Sequence, residues 1–140
     1  MVTDLTEARS SKAPDTEKLT INLGVVDLGQ IDLLVQEGFY SNRTDLIRTA
    51  IRNHLATHAE VVRQTVARKT LVLGLQDYSR ADLQAVRARG QRLKIQVLGL
   101  VRIADDVPAD LAAATIESIT VLGALQASPA VKLALKDRIH

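Results

Sequence analysis

The chain has 140 residues, a formal net charge of +2, 46% hydrophobic residues and no cysteine. The absence of cysteine excludes disulfides and thiolate metal sites, and no apolar run approaches the ~20 residues needed to span a bilayer. A net charge this small does not by itself indicate a nucleic-acid-binding protein.

The first predicted elements are a flexible arm and a short strand. Residues 1–16 lack both periodicity and the apolar block of a signal peptide, so we predict a flexible arm and a cytoplasmic location without membrane contact. The alternation from Glu17 to Leu23 predicts a strand. Its apolar face holds Leu19, Ile21 and Leu23, and its polar face holds Lys18, Thr20 and Asn22. No second strand follows nearby, so we expect a second chain to pair with its edges.

Two helices are predicted behind this strand. Asp27, with Gln30 three residues later, resembles a capping box, and apolar residues recur at helical spacing up to Gly38, a left-handed stop. Ser41 is the predicted N-cap of the second helix, with its hydroxyl accepting from the backbone of the first turn. The apolar stripe of this helix continues to Val66, so we expect it to connect to the rest of the chain.

Residues 17–55 carry a family resemblance. The strand, the glycine stop, the Tyr-Ser-Asn-Arg-Thr cap and the Leu-Ile-Arg-Thr-Ala-Ile run follow one another in an order and spacing that resemble the ribbon-helix-helix (CopG, Arc and MetJ-like) family. The resemblance implies an intertwined homodimer that binds double-stranded DNA. We therefore interpret the chain as a transcriptional regulator, with repressor as the favoured role.

The resemblance places DNA contacts at two sites. Base reading falls to Lys18, Thr20 and Asn22 of each chain, since a two-stranded ribbon fits the major groove. Phosphate binding falls to Ser41, Asn42 and Arg43, at the amino end of a helix, where the dipole favours anions. The alternative interpretation of the first site is an ordinary polar strand face. The alternative interpretation of the second site is a helix cap with a solvated turn. Gly24-Val25-Val26 replaces the usual proline-containing turn and an asparagine replaces a common arginine, which leaves the target sequence open.

The second half of the chain contains a threefold repeat. Val72-Leu73-Gly74, Val97-Leu98-Gly99 and Val121-Leu122-Gly123 are separated by 25 and 24 residues. Each lies in a predicted strand, at residues 70–75, 94–103 and 119–125. Helix starts follow at Ser79, Asp106 and Ser128, with apolar residues at helical spacing that extend to Ile116 and Ile139 in the last two units. Alternating strands and helices of this length predict parallel strands.

These elements predict an α+β fold with an amino-terminal ribbon-helix-helix and a carboxy-terminal β/α repeat module with short parallel strands. The predicted domains are a flexible arm (1–16), a DNA-binding domain (17–56), a helical linker (57–69) and an oligomerisation module (70–140). Open strand edges and the uncharged run from Ile119 to Leu125 favour higher oligomers or filaments. A compact domain within one dimer is the alternative.

Other functions have weaker support. His54 and His58 are four residues apart on the apolar stripe, which is typical of packing or inter-chain hydrogen bonding more often than of a metal site, so no metal or cofactor is expected. No catalytic motif is present, and an enzyme is not expected. The alternatives are an antitoxin, whose carboxy-terminal half would mask a toxin, and a structural polymer-forming protein tethered to DNA.

Overall fold

The computed structural model describes residues 15–140 as two compact units. One unit is Lys18–Thr65, and the other contains Val66–His140 together with residues 15–17. The predicted arm, residues 1–16, lies outside the described residues except for Asp15 and Thr16. Across the described part of the chain, no helix is long and apolar enough to cross a membrane.

The amino-terminal unit contains two helices, α1 (Val25–Gln36) and α2 (Arg43–Thr57), and the beginning of α3 (Ala59–Arg68). Helix α1 begins two residues before Asp27, behind Gly24, which makes no side-chain cap. The predicted capping box at Asp27 is therefore wrong, and its carboxylate instead lies in the first turn, where the helix dipole favours a negative charge. The predicted left-handed stop is confirmed, because Gly38 has φ +86°.

Two predictions about helix α2, its N-cap residue and its end, are wrong. Its N-cap is Asn42 rather than Ser41, because the Asn42 Oδ1 accepts from the Asp45 N–H at 2.8 Å. The helix also ends at Thr57 rather than continuing unbroken to Val66, and α3 starts two residues later. The interruption falls at His58, where φ is −108° and ψ is 11°. Helix α3 occupies most of the predicted linker.

The segment predicted as a strand, Glu17 to Leu23, forms neither helix nor strand in the single chain. Backbone ladder hydrogen bonds need a neighbouring strand, and none of the described residues supplies one. Leu19, Ile21 and Leu23 are 82%, 57% and 41% exposed. The strand predicted from Glu17 to Leu23, which requires a second chain as its partner, is therefore not formed within one chain.

The carboxy-terminal unit is built on a three-stranded sheet of β1 (Val72–Tyr78), β2 (Leu93–Ile103) and β3 (Ile116–Gln126). The strands are parallel, as predicted, and they follow chain order. The three Val-Leu-Gly triplets lie side by side, with Gly74 paired to Gly99 and Gly99 to Gly123. Ile116, predicted in a helix, instead starts β3.

Each strand is followed by a short helix: α4 (Arg80–Ala88), α5 (Ala109–Thr115) and α6 (Pro129–Ala134). Ser79 forms a capping box with Asp82, and Ser128 caps α6 by accepting from the Val131 N–H, so both predicted N-caps are confirmed. The predicted cap at Asp106 is wrong, because the N-cap residue of α5 is Pro108. A 3₁₀ turn, Lys136–Arg138, follows α6.

All three helices pack on one face of the sheet. The core joins Leu83 of α4, Leu111 of α5 and Val131 of α6 to apolar residues of β2 and β3. The strand residues in this core are Ile95, Val97, Val101, Ile103, Ile116 and Ile119. The outer edge of β3 is partly covered by the chain end, where Ile139, predicted in a helix, pairs with Ile119. We call the opposite side of the sheet the outer face.

Candidate nucleic-acid interface

The first predicted DNA site, at Lys18, Thr20 and Asn22, is fully accessible. All three side chains are exposed, and so are the apolar residues that alternate with them. In the single chain, both sides of this segment are therefore open. The sequence alternation provides one polar set and one apolar set, which is the pattern of a strand with one solvated and one covered face.

The second predicted site, at the amino end of α2, is held together by hydrogen bonds. The Asp45 Oδ2 accepts from the Ser41 N–H at 3.0 Å, while the Asp45 N–H donates to Asn42. The N–H groups of Arg43 and Thr44 have no acceptor within the helix, because they belong to its first turn. This end of α2 can therefore offer two backbone donors and the positive end of a helix dipole to an anion.

Arg43 is engaged in an ion pair. Its Nε lies 2.7 Å from the Asp32 Oδ1 and its Nη2 lies 2.8 Å from the Asp32 Oδ2, a two-pronged contact that joins α1 to α2. The hydrogen bonds from Arg43 lower the pKa of Asp32 below its ordinary value of 3.8. Arg43 was predicted only as a phosphate ligand, and its position shows an additional structural role.

The sequence interpretation missed two basic residues beside this site. Arg48 and Arg52 are four apart on α2 and line a shallow groove of about 320 Å³ together with Asn42, Thr44, Asp45 and Thr49. Residues four apart lie on the same face of a helix. Their spacing from Thr44, four and eight residues, was therefore a usable sequence signal that the groove is basic.

The Asp32–Arg43 pair makes a testable contribution to the acid sensitivity of this unit. A carboxylate with a lowered folded-state pKa stabilises the fold above about pH 4, and this contribution is lost as the pH falls through the folded-state value. We expect Asp32→Asn to lower the urea midpoint at pH 6 and to make a much smaller difference at pH 3. Equal differences at both pH values would contradict a stabilising ionised pair.

His54 and His58 lie edge to face, with ring centroids 5.1 Å apart. Both are exposed in the single chain. Among residues 15–140, they are not part of any group of three or more histidine, cysteine, aspartate or glutamate residues that could hold a metal ion. The pair is therefore at most an incomplete ligand set within one chain.

Comparison with known families decides the affiliation. The model of the ribbon-helix-helix transcriptional regulator family matches residues 14–132. The chain belongs to this family. The match confirms the resemblance seen at residues 17–55 and extends over both compact units of the ribbon-helix-helix protein. No curated protein and no solved structure matches the chain. The family consists of transcriptional regulators that typically bind DNA and are generally not enzymes.

Proposed function

We propose that this protein is a sequence-specific DNA-binding repressor that acts as a homodimer with a β-ribbon in the major groove. Family membership supports DNA binding and transcriptional regulation. The observation that carries the dimer is the exposure of the amino-terminal unit, in which no residue from Lys18 to Thr65 is buried. A folded unit needs a core, and a second copy provides the missing half of one.

The proposed ribbon forms when residues 17–23 of two chains pair in antiparallel fashion. Leu19, Ile21 and Leu23 then cover the α1 and α2 helices, while Lys18, Thr20 and Asn22 project away from them. Lysine can donate to the guanine O6 and N7, and asparagine can make a bidentate contact with adenine in the major groove. Each ribbon edge is long enough to reach several base pairs, because a strand rises about 3.3 Å per residue.

The amino end of α2 supplies the proposed phosphate contact. Ser41, Asn42 and Arg43 surround the free N–H groups of the first turn, and the basic groove of Arg48 and Arg52 continues along the same helix. Phosphate contacts position the protein without reading sequence, whereas the ribbon reads bases. Phosphate contacts therefore contribute affinity, and base contacts contribute sequence specificity.

Assembly above the dimer is a further proposal. Strand β1 has no partner on its outer edge among the described residues, whereas β3 pairs on its outer edge with Ile139. An open edge can add a strand from another molecule. The bridge to Ile139 covers β3 only at Ile119, so the proposed routes to higher oligomers or filaments are the edge of β1 and the rest of the run from Ile119 to Leu125.

Two neighbouring substitutions test the dimer and the ribbon together. Ile21→Glu is expected to give a monomer that does not bind DNA, because it places a charge in the proposed dimer core. Thr20→Glu introduces the same charge on the opposite face, so it is expected to preserve the dimer and still abolish DNA binding by repelling phosphates. Sedimentation equilibrium and fluorescence anisotropy with DNA fragments recovered by genome-wide mapping measure the two properties. A monomeric wild-type protein, or equal masses for the two variants, would refute the model.

A further inference from the structure

The amino-terminal unit is connected to the carboxy-terminal unit at both of its ends. Lys18–Thr65 forms one compact unit, whereas residues 15–17 and Val66–His140 belong to the other. At the Thr65 end the connection is helix α3, which continues through the boundary to Arg68. At the Lys18 end the connection is the segment of residues 15–17, which we call the leading segment. Its contacts with the sheet therefore determine how firmly the Lys18 end is held.

The leading segment lies against the outer face of the sheet. Residues 15–17 line a groove with Leu75, Leu100 and Ala124, one residue from each strand. Leu100 is only 7% exposed, whereas Leu98, which also lies on the central strand and on the outer face, is half-buried. The two leucines are flanked by the same two strands, so the stronger burial of Leu100 agrees with its position beneath the leading segment.

An ion pair fixes the leading segment to the central strand. The Arg102 Nη2 lies 2.9 Å from the Asp15 Oδ1, and this contact joins residues 87 positions apart. The same guanidinium lies 3.5 Å from the Asp77 Oδ1 on β1, and its Nε donates to the Gln126 Oε1 on β3 at 3.0 Å. Only 18% of the Arg102 side chain is exposed, and these contacts to both neighbouring strands hold it in place. Asp15 therefore binds to a site that the sheet itself positions.

The proposed base-reading strand follows the leading segment directly. Lys18, Thr20 and Asn22 are all exposed in the same chain in which Asp15 is paired, so the ion pair leaves the polar set accessible to DNA. The first residues of a folded unit are poorly ordered unless they are tied down. Asn22 is supported by helix α1, which begins three residues later at Val25. Among the described residues no helix or strand precedes Lys18, so the leading segment is its support.

We propose that Arg102 is a positioning residue for DNA reading, which holds the Lys18 end of the β-ribbon in place through Asp15. This inference rests on the proposed homodimer and its ribbon in the major groove. Arg102 acts through the leading segment and makes no base contact of its own. The effect is therefore graded along the ribbon: it is large for the base that Lys18 contacts and small for the base that Asn22 contacts. General destabilisation of the protein would weaken both contacts alike.

Two alanine substitutions in the full-length protein isolate the ion pair. Asp15→Ala removes the carboxylate of the leading segment. Asp77→Ala is the matched control, because it also removes a carboxylate from Arg102 but leaves Asp15 in place. The Asp15 side chain is 73% exposed, so its removal leaves the core unchanged. Fluorescence anisotropy with a target recovered by genome-wide mapping and its single-base variants measures the ratio of affinities at each position. This ratio cancels the general effect of charge on DNA binding, since phosphate contacts carry no sequence information.

The variants Lys18→Ala and Asn22→Ala identify the bases that the two side chains read. At the base assigned to Lys18, Asp15→Ala is expected to lower the affinity ratio at least about threefold, out of the roughly 5- to 150-fold that one good contact provides. At the base assigned to Asn22, the ratio is expected to stay within about twofold of the wild type. Asp77→Ala is expected to match the wild type at both bases. Asp15→Glu keeps the carboxylate and is expected to retain most of the ratio.

The possible failures are distinguishable. A one-copy mass of the wild-type protein, equal affinity for all DNA sequences, or unchanged base preference in Lys18→Ala would refute the proposed function and this inference with it. A two-copy wild-type protein that discriminates bases, together with an unchanged ratio for Asp15→Ala at the Lys18 base, would refute only the positioning role. Equal losses at both bases, equal effects of Asp15→Ala and Asp77→Ala, or a higher ratio in Asp15→Ala would also overturn it, because each result would show that the ion pair does not support the Lys18 end.

Discussion

Gly99→Ala is expected to destabilise the carboxy-terminal sheet strongly. A Cβ at residue 99 would lie 2.1 Å from the carbonyl oxygen of Gly74, and the backbone φ there is +141°. The contact is with backbone, which cannot move aside without breaking the register of β1 and β2. We expect a loss on the order of 3–5 kcal/mol, a large part of the 5–15 kcal/mol that stabilises a typical domain. Urea unfolding followed by circular dichroism measures it.

Two other glycines are controls for this substitution. Gly74 has φ +129°, and a Cβ at residue 74 would meet nothing within 4 Å, so Gly74→Ala should cost only backbone strain, about 1–3 kcal/mol. Gly29 lies inside α1 with the same open space, and Gly29→Ala should stabilise that helix by about 0.5–1 kcal/mol. An equal effect of Gly74→Ala and Gly99→Ala would show that the close approach of the two strands is not the cause.

Asn22→Ala is expected to relax base preference at one position of the DNA site. A bidentate contact between asparagine and adenine contributes about 1–3 kcal/mol of discrimination, so single-base variants of the target should become nearly equal in affinity at that position. Arg43→Ala is expected to weaken binding to all sequences alike and to reduce the slope of log affinity against log salt by about one. Anisotropy titrations at several salt concentrations separate the two effects.

The ion pair of Arg43 requires its own control. Arg43→Ala removes both a positive charge and the link to Asp32, whereas Asp32→Asn removes the link and leaves the charge. If the charge acts on phosphate, Asp32→Asn should bind DNA no more weakly than the wild type. Matching losses for the two variants would indicate that the link between α1 and α2 matters and that Arg43 makes no phosphate contact. A loss of base preference in Arg43→Ala would contradict the division between reading and anchoring.

Local patterns predicted the parts of the fold that depend on neighbours in sequence. The alternation of strands and helices predicted parallel strands, and the spacing of the Val-Leu-Gly triplets predicted a repeat. The N-cap of α2 was predicted one residue early, since serine and asparagine both favour that position. The structure identifies Asn42 as the N-cap residue, because the N–H of Asp45, three residues later, donates to the Asn42 side chain. The pair between Asp32 and Arg43 spans 11 residues and has no local signature.

Strand and helix limits were less predictable where one element follows another without a loop. Helix α5 ends at Thr115 and β3 begins at Ile116, so an apolar residue at helical spacing belongs to the strand. Strand β1 continues past Leu75 through Gln76 and Asp77, which look like loop residues in sequence. Asp77 is paired with Arg102 in the ladder, and its carboxylate lies 3.5 Å from the Arg102 guanidinium, a contact that depends on register. Register is a property of the assembled sheet and cannot be read from one strand.

The adjacent glycines of the three strands, Gly74, Gly99 and Gly123, also determine how strands can be added to or removed from this sheet. The three atoms nearest to a Cβ on Gly123 belong to the backbone of Gly99, and those nearest to a Cβ on Gly99 belong to the backbone of Gly74, with the carbonyl oxygen at 2.1 Å in both cases. The second and third strand–helix units thus each contact the preceding unit through the same backbone contact. Duplication of a whole strand–helix unit of 24 or 25 residues would add one contact of this kind and loss of a unit would remove one, with the remaining contacts intact, whereas an insertion of a few residues inside a strand would disrupt the contact of that strand. Relatives of this protein are therefore expected to differ in the number of complete strand–helix units.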